Sequence, residues 1–112
     1  MRAISVHFPH RNFRLRPTWC GKGIAIHKPV EIGDDGEPVI RSICGTWRLT
    51  HIPTGLALGD CKGNLARAKS FAIRFDDDFA LVRAASQVTP QLRKAWAAVK
   101  QEMAERPKPL RS

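Results

Sequence analysis

The chain has 112 residues, 43% hydrophobic and 26% charged, with 19 Lys and Arg against 10 Asp and Glu, a formal net charge of +9 and a pI near 10.4. That length supports one hydrophobic core and excludes two, and the composition is that of a globular domain that folds without disulfides or metals. No apolar run approaches the ~18 residues that span a bilayer, and Met-Arg-Ala-Ile-Ser-Val-His at the start lacks a signal-peptide stretch, so a cytoplasmic protein with no membrane partner is expected.

The first sixty residues read as strands. Ile4, Val6 and Phe8 alternate with Ser5 and His7, the period of a half-buried strand. After Pro9–Asn12, Phe13 and Leu15 alternate with Arg14 and Arg16. Residues 17–23 read as a loop, and extended character resumes over 24–32. Gly-Asp-Asp-Gly-Glu-Pro at 33–38 is a turn, its Asp35-Gly36 pair a hairpin signal, with a return strand over 39–44. Thr46 to His51 alternates and is rich in residues that suit strands. Ile52-Pro53-Thr54-Gly55 turns the chain, and Leu56–Gly59 leads back. Trp47 and Leu49 are assigned to the core face, and Arg48 and Thr50 to solvent or a ligand.

Beyond Asp60-Cys61-Lys62-Gly63 the period becomes helical. Asn64 is the expected N-cap of a helix whose apolar stripe is Leu65, Ala68, Ala72 and Phe75, with Phe71 beside it. Asp76-Asp77-Asp78 is expected to interrupt that helix, with Asp78 capping a short second segment through Phe79 to Ala85. Thr89-Pro90 opens a final helix carrying Leu92, Trp96, Val99 and Met103, with Trp96 expected near Trp47. Strands first and helices second predict an α+β fold: an antiparallel sheet of four or five strands in the N-terminal half, covered on one face by two or three C-terminal helices. Residues 1–106 form the expected domain, and 107–112 a flexible basic tail.

Catalytic signatures are weak. Cys20, Cys44 and Cys61 are scattered, odd in number and lack a Cys-x-x-Cys pair, the usage of small buried hydrophobes in a reducing compartment. His7, His10, His27 and His51 do not form two close ligand pairs, so no metal is expected. Cys20 has no base or anion-stabilising group that the sequence places beside it. The Asp76–Asp78 run is read as capping and solvation, and Gly21-Lys22-Gly23 is too short for a phosphate-cradling Walker loop. No enzyme activity and no cofactor are expected.

Binding has more support. Residues 1–30 hold Arg2, Arg11, Arg14, Arg16, Lys22 and Lys28 and no acid at all. Over 10–22 the basic groups are interleaved with Phe13 and Trp19. Arg14 and Arg16 fall on one strand face at a spacing suited to successive phosphates. The expected interface with DNA or RNA comprises Arg11, Arg14, Arg16, Lys22, Lys28 and Arg48, with Trp19 either a stacking group or part of the core. No helix-turn-helix, zinc-finger, RNP-type or KH-type signature is present. The competing expectation is an inhibitor that docks its basic surface on an acidic face of a host protein complex.

Trp47-Arg-Leu-Thr-His-Ile-Pro-Thr-Gly55, followed by a small-residue strand and an Ala-rich helix, resembles a hairpin–helix unit of uncharacterised phage- and plasmid-encoded proteins. The resemblance covers about a third of the chain and implies an accessory protein of a mobile element, in the size class of anti-CRISPR proteins. It supplies no active site.

Overall fold

The computed structural model describes residues 3–8, 11–40 and 45–105. The elements in chain order are strands β1 (Ile4–Phe8), β2 (Arg11–Leu15), β3 (Trp19–Cys20), β4 (Ile24–His27), β5 (Val30–Ile32), β6 (Pro38–Ile40), β7 (Thr46–His51) and β8 (Ala57–Lys62), helix α1 (Leu65–Ala80), a 3₁₀ turn (Ala85–Gln87) and helix α2 (Pro90–Ala104). The α+β class and the segregation of strands before helices are as expected. The predicted return strand beyond Ile40, Cys44 and the tail 107–112 lie outside the described residues.

At the centre is a four-stranded antiparallel sheet in the order β3-β4-β7-β8. Register sorts its side chains. Ile24 and Ile26 of β4, Leu49 of β7 and Cys61 of β8 share one face and meet Ala68, Phe71, Ala72, Phe75 and Phe79 of α1 and Trp96, Val99 and Met103 of α2. The opposite face, led by Ala25, packs on Ile4, Val6 and Leu15 of the β1–β2 hairpin and on Val30. The sheet is therefore covered on both sides, where helices on a single face were the whole expectation. Thr50, assigned from alternation to solvent or a ligand, is fully buried beneath the hairpin. β5 and β6 form a separate two-stranded ribbon.

Two helix predictions are corrected. The Asp76–Asp78 run does not interrupt α1, which runs unbroken to Ala80, and Asp78 caps nothing; the chain turns at Leu81 and forms only the 3₁₀ turn at 85–87. The physical reason is that helix interiors tolerate aspartate when tertiary contacts reward it. Phe75 and Phe79 are buried on either side of the run, and Asp76 finds a partner outside the helix. Trp96 meets Phe75 and Phe79 edge to face, at centroid separations of 5.1 and 5.2 Å, and its indole N–H donates to Leu58 O at 3.0 Å. Its aromatic neighbours are thus on α1, and Trp47 lies further along the sheet, opposite Cys61. The caps expected at Asn64 and Thr89 are formed, each side chain accepting from the backbone N–H three residues on.

Asp76 closes the β3–β4 loop. Its carboxylate accepts three backbone N–H bonds, from Lys22 to Oδ2 and from Gly23 and Ile24 to Oδ1, each 2.9 Å. The glycines permit this approach: a Cβ on Gly21 would collide with the Asp76 carboxylate, and one on Gly23 with the Ala80 backbone. The Gly-Lys-Gly sequence does cradle an anion, and the anion is the protein's own. Asp77 and Asp78 are exposed, so an alanine scan separates the three. Asp76→Ala should lower stability in chemical denaturation by about 3 kcal/mol, because three amide donors lose a charged acceptor. Asp77→Ala and Asp78→Ala should stay within about 0.5 kcal/mol of the parent. Equal effects at all three positions would remove Asp76 from this role.

Candidate nucleic-acid interface

The β1–β2 hairpin presents a polar outer face. Ser5 pairs with Arg14 and His7 with Asn12, all four exposed, and His7 Nδ1 lies 2.7 Å from Asn12 Oδ1. Leu15 turns inward, and Arg16, just past the strand, is exposed. In extended chain Arg14 and Arg16 are set about 6.5 Å apart by the strand rise.

Arg16 also lines a recess of about 130 Å³ at the end of the hairpin, with Leu15, Thr18, His27, Lys28, Val30 and Ile40. Lys28 is half-buried, its ammonium 4.1 Å from the centroid of the Trp47 ring. In water such a cation–π contact contributes about 0.5–1 kcal/mol, so it orients the side chain while leaving its charge in place.

The other predicted contacts fall elsewhere. Lys22 is exposed at the opposite end of β4, on the order of 20 Å from Lys28 along the strand. Trp19 is half-buried and packs against the helix-side core, on the face of the sheet away from the recess. Arg48 is committed within the fold: Nε donates to Asp60 Oδ1 at 2.8 Å, Nη2 to Asp60 Oδ2 at 3.2 Å and Nη1 to Val30 O at 2.8 Å. It ties β5 to β7 and β8. The side chain of Arg11 lies outside the described residues. Of the predicted set, Arg14 and Arg16 share the exposed outer side of the hairpin, while Lys28 reaches the rim of the recess with its ammonium turned onto Trp47 of the helix-side face.

Five residues of the recess were not singled out for nucleic-acid binding: Leu15, Thr18, His27, Val30 and Ile40. Only Leu15 left a trace, as the inward-facing neighbour of two arginines; the others come from separate strands and loops, and tertiary packing alone assembles them.

The buried titratable groups serve the structure. His51 Nε2 donates to Phe79 O at 2.8 Å, and its Nδ1 lies 2.7 Å from Thr54 Oγ1. His27 Nδ1 donates to Lys28 O at 2.8 Å, leaving Nε2 to accept from the buried Thr50 hydroxyl at 2.6 Å. Burial pushes His27 below the ordinary histidine range, aided by the Arg48 guanidinium and opposed by the Lys28 carbonyl and the Asp60 carboxylate. Burial likewise pushes the Cys61 thiol up, away from thiolate. Neither Cys20 nor Cys61 is in a disulfide, and among the described residues no three His, Cys, Asp or Glu side chains converge as metal ligands. No described helix is long and apolar enough to cross a membrane.

No family model, no curated protein and no solved structure matches this chain.

The His27 arrangement predicts a pH response. Its lowered folded value means that below the unfolded value of about 6.5 the unfolded chain binds a proton that the folded chain refuses. Stability from this group is therefore complete above pH ~6.5 and declines as pH falls toward the folded value. Thermal or urea unfolding between pH 7.5 and 5 should show a loss that is steeper in the parent than in His27→Gln. Identical pH slopes would contradict it.

Proposed function

We propose that this is a non-catalytic nucleic-acid-binding protein, an accessory factor of the kind mobile elements encode, whose contact surface runs along Arg14 and Arg16 of the β1–β2 hairpin. The observation that carries the reading is the segregation of charge. Every Asp and Glu between residues 1 and 59, namely Glu31, Asp34, Asp35 and Glu37, belongs to the β5–β6 ribbon and its turn. All nineteen basic residues and only six acids belong to the rest of the chain. Of those six, Asp60 is paired with Arg48 and Asp76 is bound to loop amides. A polyanion that reaches the hairpin meets cations spaced for successive phosphates, with no carboxylate among them. Binding in place of catalysis is supported by the buried imidazoles, both of whose nitrogens are engaged inside the fold.

A second reading, a mobile-element protein that docks on a host complex and blocks it, draws on the ribbon. Ile32 and Ile40 are 44% and 59% exposed on one face of the ribbon and Val39 47% exposed on the other, aliphatic side chains on a short strand pair of the kind that partner strands cover. A nuclease-insensitive, stoichiometric host partner would favour it.

Titrating a labelled oligonucleotide at several salt concentrations tests the first reading. Log affinity should fall linearly with log salt, by about 0.9 per neutralised phosphate on duplex DNA and about 0.7 on a single strand. Replacing Arg14 and Arg16 together with alanine should flatten that slope by up to about two. Lys22→Ala, at the far end of β4, should leave it unchanged. Absence of binding at low salt would end this reading.

A further inference from the structure

Two surfaces of the chain combine apolar area with opposite charge. The first is a groove of about 250 Å³ between β8 and α2. Its floor is Trp96 with Phe79, both buried, and the indole is fixed there by its N–H bond to Leu58 O. Leu58 and Val88 add apolar walls, and Ala97 completes the lining from an exposed position on α2. Arg93 and Lys100 bring two exposed cations, seven positions apart on α2 and so about 10.5 Å apart along its axis. No acid lines the groove, and among the described residues neither cation is paired with one. At about 250 Å³ the groove is smaller than the roughly 300–1,000 Å³ of ligand pockets, a size that suits one aliphatic side chain.

The second surface is the β5–β6 ribbon. Ile32 and Ile40 share one of its faces, 44% and 59% exposed. The turn after Ile32 carries Asp34 and Asp35, both exposed. An isoleucine beside carboxylates is the complement of an apolar groove beside cations. Val30, at the root of the ribbon, packs in the hairpin-side cluster, whereas Leu58, Phe79 and Trp96 belong to the helix side. Ribbon and groove of one chain thus arise on opposite faces of the sheet, so the groove's partner is the ribbon of another copy.

We propose that the chain self-associates head to tail: Ile32 of one copy enters the groove of the next, and Asp34 and Asp35 lie against Arg93 and Lys100. The contact joins two different surfaces, so its repetition gives a chain or a closed ring of copies. The net charge of +9 opposes the approach of two copies, but at ~0.15 M salt that repulsion is screened beyond about 8 Å, while charges in direct contact still attract. Arg14 and Arg16 take no part, so this inference and the nucleic-acid reading fail separately.

Light scattering on nuclease-treated protein at physiological salt should show a mass that rises with concentration above that of one chain. Ile32→Ser, which trims an exposed ribbon residue, should weaken association at least about tenfold, the lower end of what burying such a side chain contributes. Ala97→Trp, at an exposed helix position, fills the groove and should also leave a monomer, as should Arg93→Glu with Lys100→Glu. Mixing the Ile32→Ser and Ala97→Trp proteins restores one intact ribbon and one intact groove. The mixture should therefore form a 1:1 dimer that grows no further. A parent that stays monomeric at every concentration would overturn the proposal. So would association that survives both single variants, or a mixture of the two that remains monomeric.

Discussion

Burial of β4 on both faces is the constraint from which the rest of the architecture follows. Ile24, Ala25 and Ile26 are each wholly inaccessible, so two opposed surfaces must be covered, one by α1 and α2 and the other by the β1–β2 hairpin. Burying each isoleucine under the helices contributes about 1.5–3 kcal/mol, and the hairpin is needed to cover Ala25 on the other side. A strand enclosed in this way has no room for charge along its length. Lys22 and Lys28 consequently flank it at its two ends, and the recess forms where the chain leaves the sandwich and turns into the ribbon.

Two charged side chains close the layers where apolar packing runs out, and they do so with opposite chemistry. Asp76 offers a carboxylate to three amide donors of the β3–β4 loop, joining α1 to the sheet. Arg67 offers a guanidinium to the last carbonyls of α2, with Nη2 to Glu102 O at 3.0 Å and Nη1 to Glu105 O at 3.2 Å, and also reaches Lys62 O at the end of β8. The cation sits at the negative end of a helix dipole and the anion amid converging N–H groups, each serving backbone groups at the end of an element. Both residues lie on α1, nine positions apart, so one helix carries both of these charged fasteners and its apolar seam.

What the sequence discloses and what it conceals divide along the range of the interactions. Local signals were legible: alternation in β1, β2 and β7, the Asn64 and Thr89 caps, and the apolar stripes of both helices. Gly55, with φ of 74°, turns the β7–β8 hairpin as its position implied. The second layer was visible in part, since Ile24-Ala25-Ile26 is apolar at both parities, the signature of a strand covered on both sides. Arg48 and Thr50 misled because alternation was read as one wet face; with a hairpin over that face, arginine must find Asp60 and threonine must find His27. The three aspartates misled for the complementary reason. Local propensity argues against them in mid-helix, and the contact that reverses the argument comes from more than fifty residues away. Of the site, the cations were legible as residue types. Which of them share a surface was not, because long-range contacts turn Lys28 onto Trp47 and Arg48 onto Asp60.

Under the proposed function, the acidic ribbon would give the basic surface its selectivity. A uniformly cationic domain would hold any polyanion in any orientation, since phosphate attraction carries no positional information. Here four carboxylates on one ribbon and its turn bound the cationic surface on the ribbon side, while that ribbon's apolar inner face forms part of the recess wall. Under that proposal, attraction along the hairpin and repulsion at the ribbon tip would together restrict the path of a strand. Moving those carboxylates elsewhere on the molecule would leave the net charge at +9 and abolish the path, so it is the placement of charge, set by the fold, that the proposed function draws on.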